Sequence, residues 1–207
     1  MLTSPGVTTL FLDIGGVLLN NGWDRQMGRR AAQYFMLDYE GLNERHLLAF
    51  GSYESGLLDL EGYLERVVSH EERTFTREEF KTFMFDQSQP HPEMLTLIRR
   101  LKARYHLKTV AVSNEGRELN THRIHKFALA EVIDFFVSSC YVYIHKPDPD
   151  IFLMALVMTQ VAPQQVVYCE DREMFVAVAS GLGIRGVLHS SYESMRSALT
   201  GLGFPLD

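Results

Sequence analysis

Leu10-Phe11-Leu12-Asp13-Ile14-Gly15-Gly16-Val17 sets the reading of this chain: a short apolar run ends on a carboxylate and leaves through two glycines. Two later stretches repeat the pattern. Val110-Ala111-Val112 runs into Ser113 and Asn114, and Val166-Val167-Tyr168-Cys169 runs into Glu170 and Asp171. Runs of this length and composition predict strands buried on both faces, as in a parallel sheet. In an open parallel sheet the ligand crevice lies just beyond the carboxyl ends of the strands. The polar residues that end the three runs, far apart in the chain, are therefore expected to meet in one pocket.

Outward from these runs, strand and helix patterns alternate after about residue 90, which favours βαβ units and an α/β fold. Met94, Leu97, Ile98 and Leu101 recur at helical spacing ahead of a strand over 108–112. Helices are predicted over 119–129, 174–182 and 192–199, and strands over 133–137 and 185–188. Residues 141–144 read as extended chain. Asp148 before Pro149 predicts a helix start, with an N-cap carboxylate followed by proline at the first helical position.

The segment between Asn20 and Gln89 has a different character. It holds helical patterns and no convincing strand: Leu60, Tyr63, Leu64, Val67 and Val68 form one apolar face, and Thr76 with Glu79 makes a capping box ahead of Phe80. Ser88-Gln89-Pro90-His91-Pro92 marks its exit. The expected organisation is a core built from 1–19 and 90–207, with an all-helical insertion at 20–89.

The 207 residues are 46% apolar and 22% charged, enough to bury a core without disulfides. A formal net charge of −6 and the lack of a basic run argue against nucleic acid as partner. Cys140 and Cys169 both fall in apolar stretches and read as reduced core thiols. No segment has the length of a membrane span, and Val7 to Leu12 is too short for a leader. A cytoplasmic location and no membrane partner are expected.

Asp13 could be a metal ligand or a nucleophile attacking phosphorus, and Gly15 and Gly16 let backbone approach a ligand closely. Taken singly, Asp13 could equally be a turn residue. Ser113 and Asn114, ahead of a predicted helix N-terminus, offer hydroxyl, amide and backbone N–H groups to an anion, or only a helix cap. Lys146, held by the following Pro147, could neutralise phosphate charge or sit on the surface. Glu170-Asp171 are oxygen ligands suited to Mg²⁺, and can also cap the following helix.

In order and spacing these segments resemble the haloacid dehalogenase-like hydrolases, a superfamily dominated by phosphatases. Phe11-Leu12-Asp13-Ile14-Gly15-Gly16-Val17-Leu18 looks like the first motif of the family, and Val112-Ser113-Asn114 the second. Lys146-Pro147-Asp148-Pro149 looks like the third and Cys169-Glu170-Asp171 the fourth. The inserted segment is similar to the C1-type helical cap of one subgroup. The resemblance implies a Rossmann-like parallel-sheet core with a helical cap, acting on a small phosphorylated metabolite with Mg²⁺. It implies that Asp13 attacks phosphorus and forms an aspartyl-phosphate. The Mg²⁺ would be held by Asp13, the Gly15 carbonyl, Glu170 and Asp171. Ser113, Asn114, Lys146 and Gly16 would hold the phosphoryl oxygens, with Lys146 also catalytic.

Two positions depart from the family pattern. Gly15 stands where its phosphatases usually carry a second aspartate, which protonates the leaving group and later activates water. Met174 stands where many members have another acidic residue beside the metal. Three explanations of Gly15 are open: an acid supplied elsewhere, with Glu115, Asp24 or His145 as candidates; a substrate with a good leaving group; or a degenerate member that binds ligands or partners with weak or no turnover. Trp23, Asp24, Arg25, Tyr53, Glu54 and Gly56 are candidates to face the substrate, with Trp23 more readily a core aromatic.

Overall fold

The computed structural model describes residues 6–206. Its sheet consists of β1 (Thr9–Leu12), β2 (Lys108–Ser113), β3 (Phe135–Ser138), β4 (Val166–Glu170) and β5 (Arg185–Leu188). All neighbours are parallel, in the order β3-β2-β1-β4-β5. The chain builds outward from β1 on one side through β2 and β3, then returns to add β4 and β5 on the other. The order therefore reverses between β1 and β4, the place where open α/β sheets form their ligand crevice. Leu12 is level with Ala111 of β2 and with Cys169 of β4. The residues that follow them leave the sheet at one edge.

Alternation along the strands divides the core in two. Leu10 and Leu12 face one layer with Ala111, Val167 and Cys169, packed on Met94, Ile98 and Leu101 of α5 (Pro92–Tyr105) and on Met195 and Leu199 of α10 (Tyr192–Gly201). Phe11 faces the other with Val110, Val112, Val166 and Tyr168. That side is closed by Ile151, Phe152 and Ala155 of α8 (Asp150–Thr159) and by Phe175 and Ala179 of α9 (Glu173–Gly181). Helices on both faces bury the central strands completely, so their sequences are continuous apolar runs.

Between β1 and α5 the chain forms α1 (Arg25–Tyr34), α2 (Tyr39–Glu54), α3 (Leu60–Val67) and α4 (Arg77–Asp86). Each begins on a side chain that accepts from its own first-turn N–H groups: Asp24, Asp38, Asp59 and Thr76, the last with the reciprocal Glu79 bond. These helices share an apolar cluster that includes Trp23, Phe35, Tyr53, Tyr63, Leu64 and Phe80. Trp23 is a core aromatic, its Nε1 donating to Tyr63 Oη at 2.8 Å. The two connections to this helical segment are tied together. Asn20 Nδ2 donates to the Gln87 carbonyl at 2.8 Å, and Asn20 Oδ1 accepts from the Gln89 N–H at 3.0 Å.

Some expected elements differ. Residues 141–144 are not extended: Ser139–Val142 form a single helical turn, α7, that ends with Tyr143 at φ 60°. Ser139 Oγ accepts from the Glu115 N–H at 3.0 Å and donates to the Glu54 carbonyl at 2.6 Å. That bridge turns the chain away from the sheet and leaves Tyr141 and Tyr143 exposed. The helix expected over 119–129 is α6 (Arg117–Lys126), followed by a separate turn around Leu129. The β3 strand starts at Phe135, two residues later than expected, because Asp134 is drawn off to bind the Thr109 N–H and Oγ1. The helix after Pro149 starts at Asp150, whose N–H binds Asp148 Oδ1 at 2.9 Å.

Candidate active site

Asp13 follows β1 directly, with its N–H bonded to the Cys169 carbonyl of β4 at 3.0 Å. That bond prolongs the strand register by one residue and sets its carboxylate beside the end of β4. Ligand oxygens of Asp13, Glu170 and Asp171 all lie within 4.8 Å of one another. Lys146 Nζ reaches the same point, 2.9 Å from Asp13 Oδ1 and 2.6 Å from Glu170 Oε2. The residues at the ends of separate apolar runs thus meet at one edge of the sheet.

The Glu170 carboxylate is closely held. Oε2 takes Lys146 Nζ and the Tyr168 hydroxyl, while Oε1 accepts from the Asp171 and Arg172 N–H groups, both at 3.0 Å. Tyr168 is two residues before Glu170 on the strand, so both side chains leave the same face. Asp171 is less committed: its Oδ1 is buried without a hydrogen-bond partner among the described residues. Gly16 lies at φ 79°, and a Cβ there would stand 2.1 Å from Asp171 Oδ2. Only glycine allows the first loop to pass so close to this carboxylate.

Asn114 spends its amide on Lys146 rather than pointing both ends into the cavity. Its Oδ1 accepts from the Lys146 N–H at 2.8 Å and its Nδ2 donates to the Lys146 carbonyl at 2.9 Å. Ser113 Oγ is fully buried beside Asp13, where its hydroxyl favours the carboxylate form, and it has no other hydrogen-bond partner among the described residues. Burial works against the Lys146 ammonium, but the Asp13 and Glu170 carboxylates outweigh it and hold its pKa above the ordinary lysine value. Burial likewise pushes the Asp13 carboxyl up, with Lys146 opposing the shift and Glu170 adding to it. Three carboxylates against one ammonium leave two negative charges uncompensated. A hard divalent cation with oxygen ligands balances that charge, and the uncommitted Asp171 oxygen offers it a ligand.

The site opens into a cavity of about 430 Å³ whose wall includes Asp13, Gly15, Asn114 and Lys146 from the core and Trp23, Asp24, Arg25 and Glu54 from the helical segment. A larger groove of about 790 Å³ lies at the opposite end of the strands. In its wall Lys102 is paired with Asp134 and Arg99 with Glu131, and Lys108 donates to the Thr159 carbonyl at 3.0 Å, so these groups do not converge on one point.

Sequence reasoning did not find the Glu115–Arg123 pair as such. Both are buried, Arg123 Nη1 bonds Glu115 Oε1, Nη2 reaches the Asn20 carbonyl at 2.6 Å and Nε the Ser88 hydroxyl at 3.1 Å. Glu115 precedes α6, whose N-cap is Gly116, so no helical spacing links it to Arg123 and the pair is set by the fold. Of the candidates to replace an aspartate at position 15, Glu115 is committed to Arg123 and Asp24 caps α1. His145 is exposed and lies outside the cavity wall. Met174 is on the surface at the start of α9. Both cysteines are buried and free, their thiols pushed up to about 12 by burial.

The family model for haloacid dehalogenase-like hydrolases matches residues 7–183. This chain belongs to that family. A phosphorylated carbohydrates phosphatase of Thermotoga maritima is 28% identical to this hydrolase over 134 residues, 63% of this chain and 57% of that protein. The chain thus spans little more than half the length of that curated relative. A HAD family enzyme of Bacteroides thetaiotaomicron, solved in complex with magnesium and inorganic phosphate, shares the fold at TM-score 0.76 and 19% identity, covering 89% of this chain and 95% of that one. A HAD-like family hydrolase of Porphyromonas gingivalis aligns at TM-score 0.74 and 20% identity, over 97% and 100% of the two chains. No helix among the described residues of this haloacid dehalogenase-like hydrolase is long and apolar enough to cross a membrane.

Proposed function

We propose that this chain is a Mg²⁺-dependent phosphomonoester hydrolase acting on a small phosphorylated metabolite through an aspartyl-phosphate at Asp13. The observation that carries the reading is the gathering of Asp13, Glu170 and Asp171 within 4.8 Å, with Lys146 2.9 Å from Asp13. Asp13, Glu170, Asp171 and the Gly15 carbonyl would hold the ion, with Asp171 the least committed ligand. Bound there, Mg²⁺ supplies positive charge against the phosphoryl oxygens and the carboxylate cluster. Lys146 meets the charge that builds on the transferring phosphoryl group, and Ser113 donates its hydroxyl, with Gly16 lending backbone N–H. Such positioning and charge neutralisation do most of the work in phosphoryl transfer.

A cavity of about 430 Å³ suits a sugar phosphate or a similar metabolite rather than a macromolecule. The named activity of the Thermotoga relative points the same way. Residues 20–89 would act as a cap over the core formed by 1–19 and 90–207, excluding water from the reacting groups. A cytoplasmic site of action belongs to the same reading, because charged phosphomonoesters do not cross membranes unaided. Haloacid dehalogenation fits poorly, since an acidic cluster repels a haloacid carboxylate. Lys81, the lysine of the cap, is paired with Glu78 at 3.2 Å and is not part of the cavity wall, so an imine-forming route has no amine there.

The test is turnover of 4-nitrophenyl phosphate and a panel of sugar phosphates with Mg²⁺, with excess chelator, and after Mg²⁺ is restored. Turnover should vanish with chelator and return with the ion. Mg²⁺ should also raise the melting temperature, since saturation at a hundred times the Kd stabilises by about 2.7 kcal/mol. Activity that is indifferent to chelation would overturn the metal assignment.

The close passage at Gly16 gives a second test of that assignment. Gly16→Ala places a methyl group 2.1 Å from Asp171 Oδ2, so that carboxylate must shift, and strains a backbone at φ 79°. Weaker Mg²⁺ binding by titration calorimetry is expected, on the order of tenfold or more, about 1.4 kcal/mol. Unchanged Mg²⁺ affinity would show that Asp171 is not a ligand.

A further inference from the structure

We propose that Glu54, carried by the helical cap, is the acid that protonates the leaving oxygen and then the base that activates water, in the place left open by Gly15. The inference rests on the phosphomonoesterase reading above.

A side chain at position 15 would run into the Asn21 and Arg123 side chains. Its Cβ would lie 3.2 Å from Asn21 Oδ1 and 3.8 Å from Arg123 Nη1. Arg123 Nη1 is already bonded to Glu115 Oε1, and glycine at 15 carries no proton donor. The proton must come from another wall of the cavity. Among the carboxyl groups there, Asp13 is the nucleophile, Asp24 is a helix cap and Glu115 is paired with Arg123. Glu54 forms no ion pair among the described residues, and it lines the same cavity as Asp13 and Lys146.

The position of Glu54 is fixed on three sides. It is the last residue of α2, and its carbonyl accepts from Ser139 Oγ at 2.6 Å. The Tyr53 ring before it covers Gly116 so closely that a Cβ there would be 2.0 Å from the ring, and its hydroxyl accepts from the Leu119 N–H at 3.4 Å. Gly56 after it, at φ 70°, lies against the Cys140 carbonyl, 2.2 Å from where a Cβ would stand. The cap meets the core at this turn and delivers one carboxyl to the cavity.

Charges facing Glu54 come from several elements: Glu115 after β2, Arg172 after β4, Lys146, and Asp13. Burial pushes its carboxyl up to about 7, with Glu115 adding to the shift and Arg172 and Lys146 opposing it. The group is then poised to give and take a proton near neutral pH. Its charge in turn helps to hold the buried Tyr63 hydroxyl protonated, behind burial as the main cause.

In the first step Asp13 forms a bond to phosphorus and the bond to the leaving oxygen breaks. The proton of Glu54 passes to that oxygen, releasing the alcohol. In the second step water bonds to phosphorus and gives its proton to Glu54. The bond to Asp13 breaks, releasing inorganic phosphate and restoring both residues.

The experiment compares wild type, Glu54→Gln and Asp13→Asn on 4-nitrophenyl phosphate, phenyl phosphate and ethyl phosphate. For ethyl phosphate the Gln variant should lose roughly 10²–10⁴-fold in kcat/KM. For 4-nitrophenyl phosphate, whose leaving group departs without a proton, kcat/KM should be nearly unchanged while kcat falls and a burst of nitrophenolate appears. The decline of wild-type kcat/KM for ethyl phosphate above about pH 7 should be absent in the variant. Equal losses on all three esters, or none, with an unaltered melting temperature, would overturn the role of Glu54 and leave the phosphomonoesterase reading standing. Wild-type turnover that is absent, or that survives Asp13→Asn, would instead overturn the reading itself.

Discussion

Asp13→Asn should lower phosphomonoester turnover by about 10⁴-fold or more, the loss expected when a nucleophile is removed. That corresponds to a barrier higher by about 5–6 kcal/mol. The fold should not change. Asparagine has the shape of aspartate, and the Asp13 N–H would still bind the Cys169 carbonyl. Lys146 would keep Glu170 at 2.6 Å as counter-ion, and one like-charge repulsion in the cluster would be relieved. The melting temperature should therefore match or slightly exceed that of the wild type. Acid-quenched wild-type protein should gain the mass of one phosphoryl group during turnover, and the variant should not. Activity within tenfold of wild type would remove Asp13 from the reaction.

The second large effect is on stability. Arg123 bonds Glu115, the Asn20 carbonyl and Ser88 Oγ at once, and both members of the ion pair are buried. Arg123→Ala leaves the Glu115 carboxylate without a counter-ion, which typically costs about 3–5 kcal/mol. Set against a total stability of about 5–15 kcal/mol, that is a large fraction. A fall of roughly 6–20 °C in melting temperature is expected for a chain of this size. Lysine would not substitute, because one ammonium cannot address three acceptors in fixed directions. Removing Glu115 as well should restore much of the loss, because the unpaired charge goes with it. Strict additivity in the double-mutant cycle would show that the two residues do not interact.

Arg123 also links the core to both connections of the cap, since Asn20 and Ser88 lie on the two chain crossings. A Cβ at Gly22 would meet Arg123 Nη2 at 2.1 Å, so the loop has been shaped around the guanidinium. The cavity floor and the cap joints therefore share one buried side chain.

Much of this was legible in the chain. The apolar runs at 10–12, 110–112 and 166–169 are strands because burial on both faces leaves no room for polar alternation. The Thr76–Glu79 capping box formed as expected because its partners are local. Residues 141–144 misled, since Tyr, Val and Ile favour strands in the absence of other constraints. Ser139, held between Glu115 and Glu54, overrode that preference through contacts distant in sequence. Tyr168 read as one more apolar strand residue, yet its hydroxyl binds Glu170 at the site.

Local chemistry thus specified which polar groups would stand at strand ends, because strand length, apolar composition and parallel pairing act over a few residues. The competition among carboxylates was decided by folding. Glu115, Glu54, Glu170 and Asp171 are similar as letters. Burial, a neighbouring guanidinium or a backbone N–H separates them into a paired ion, a group raised toward neutral pH, a tied anchor and a carboxylate with one oxygen unpartnered among the described residues. Those differences come from charges and desolvation across contacts that close only when the sheet, its helices and the cap come together.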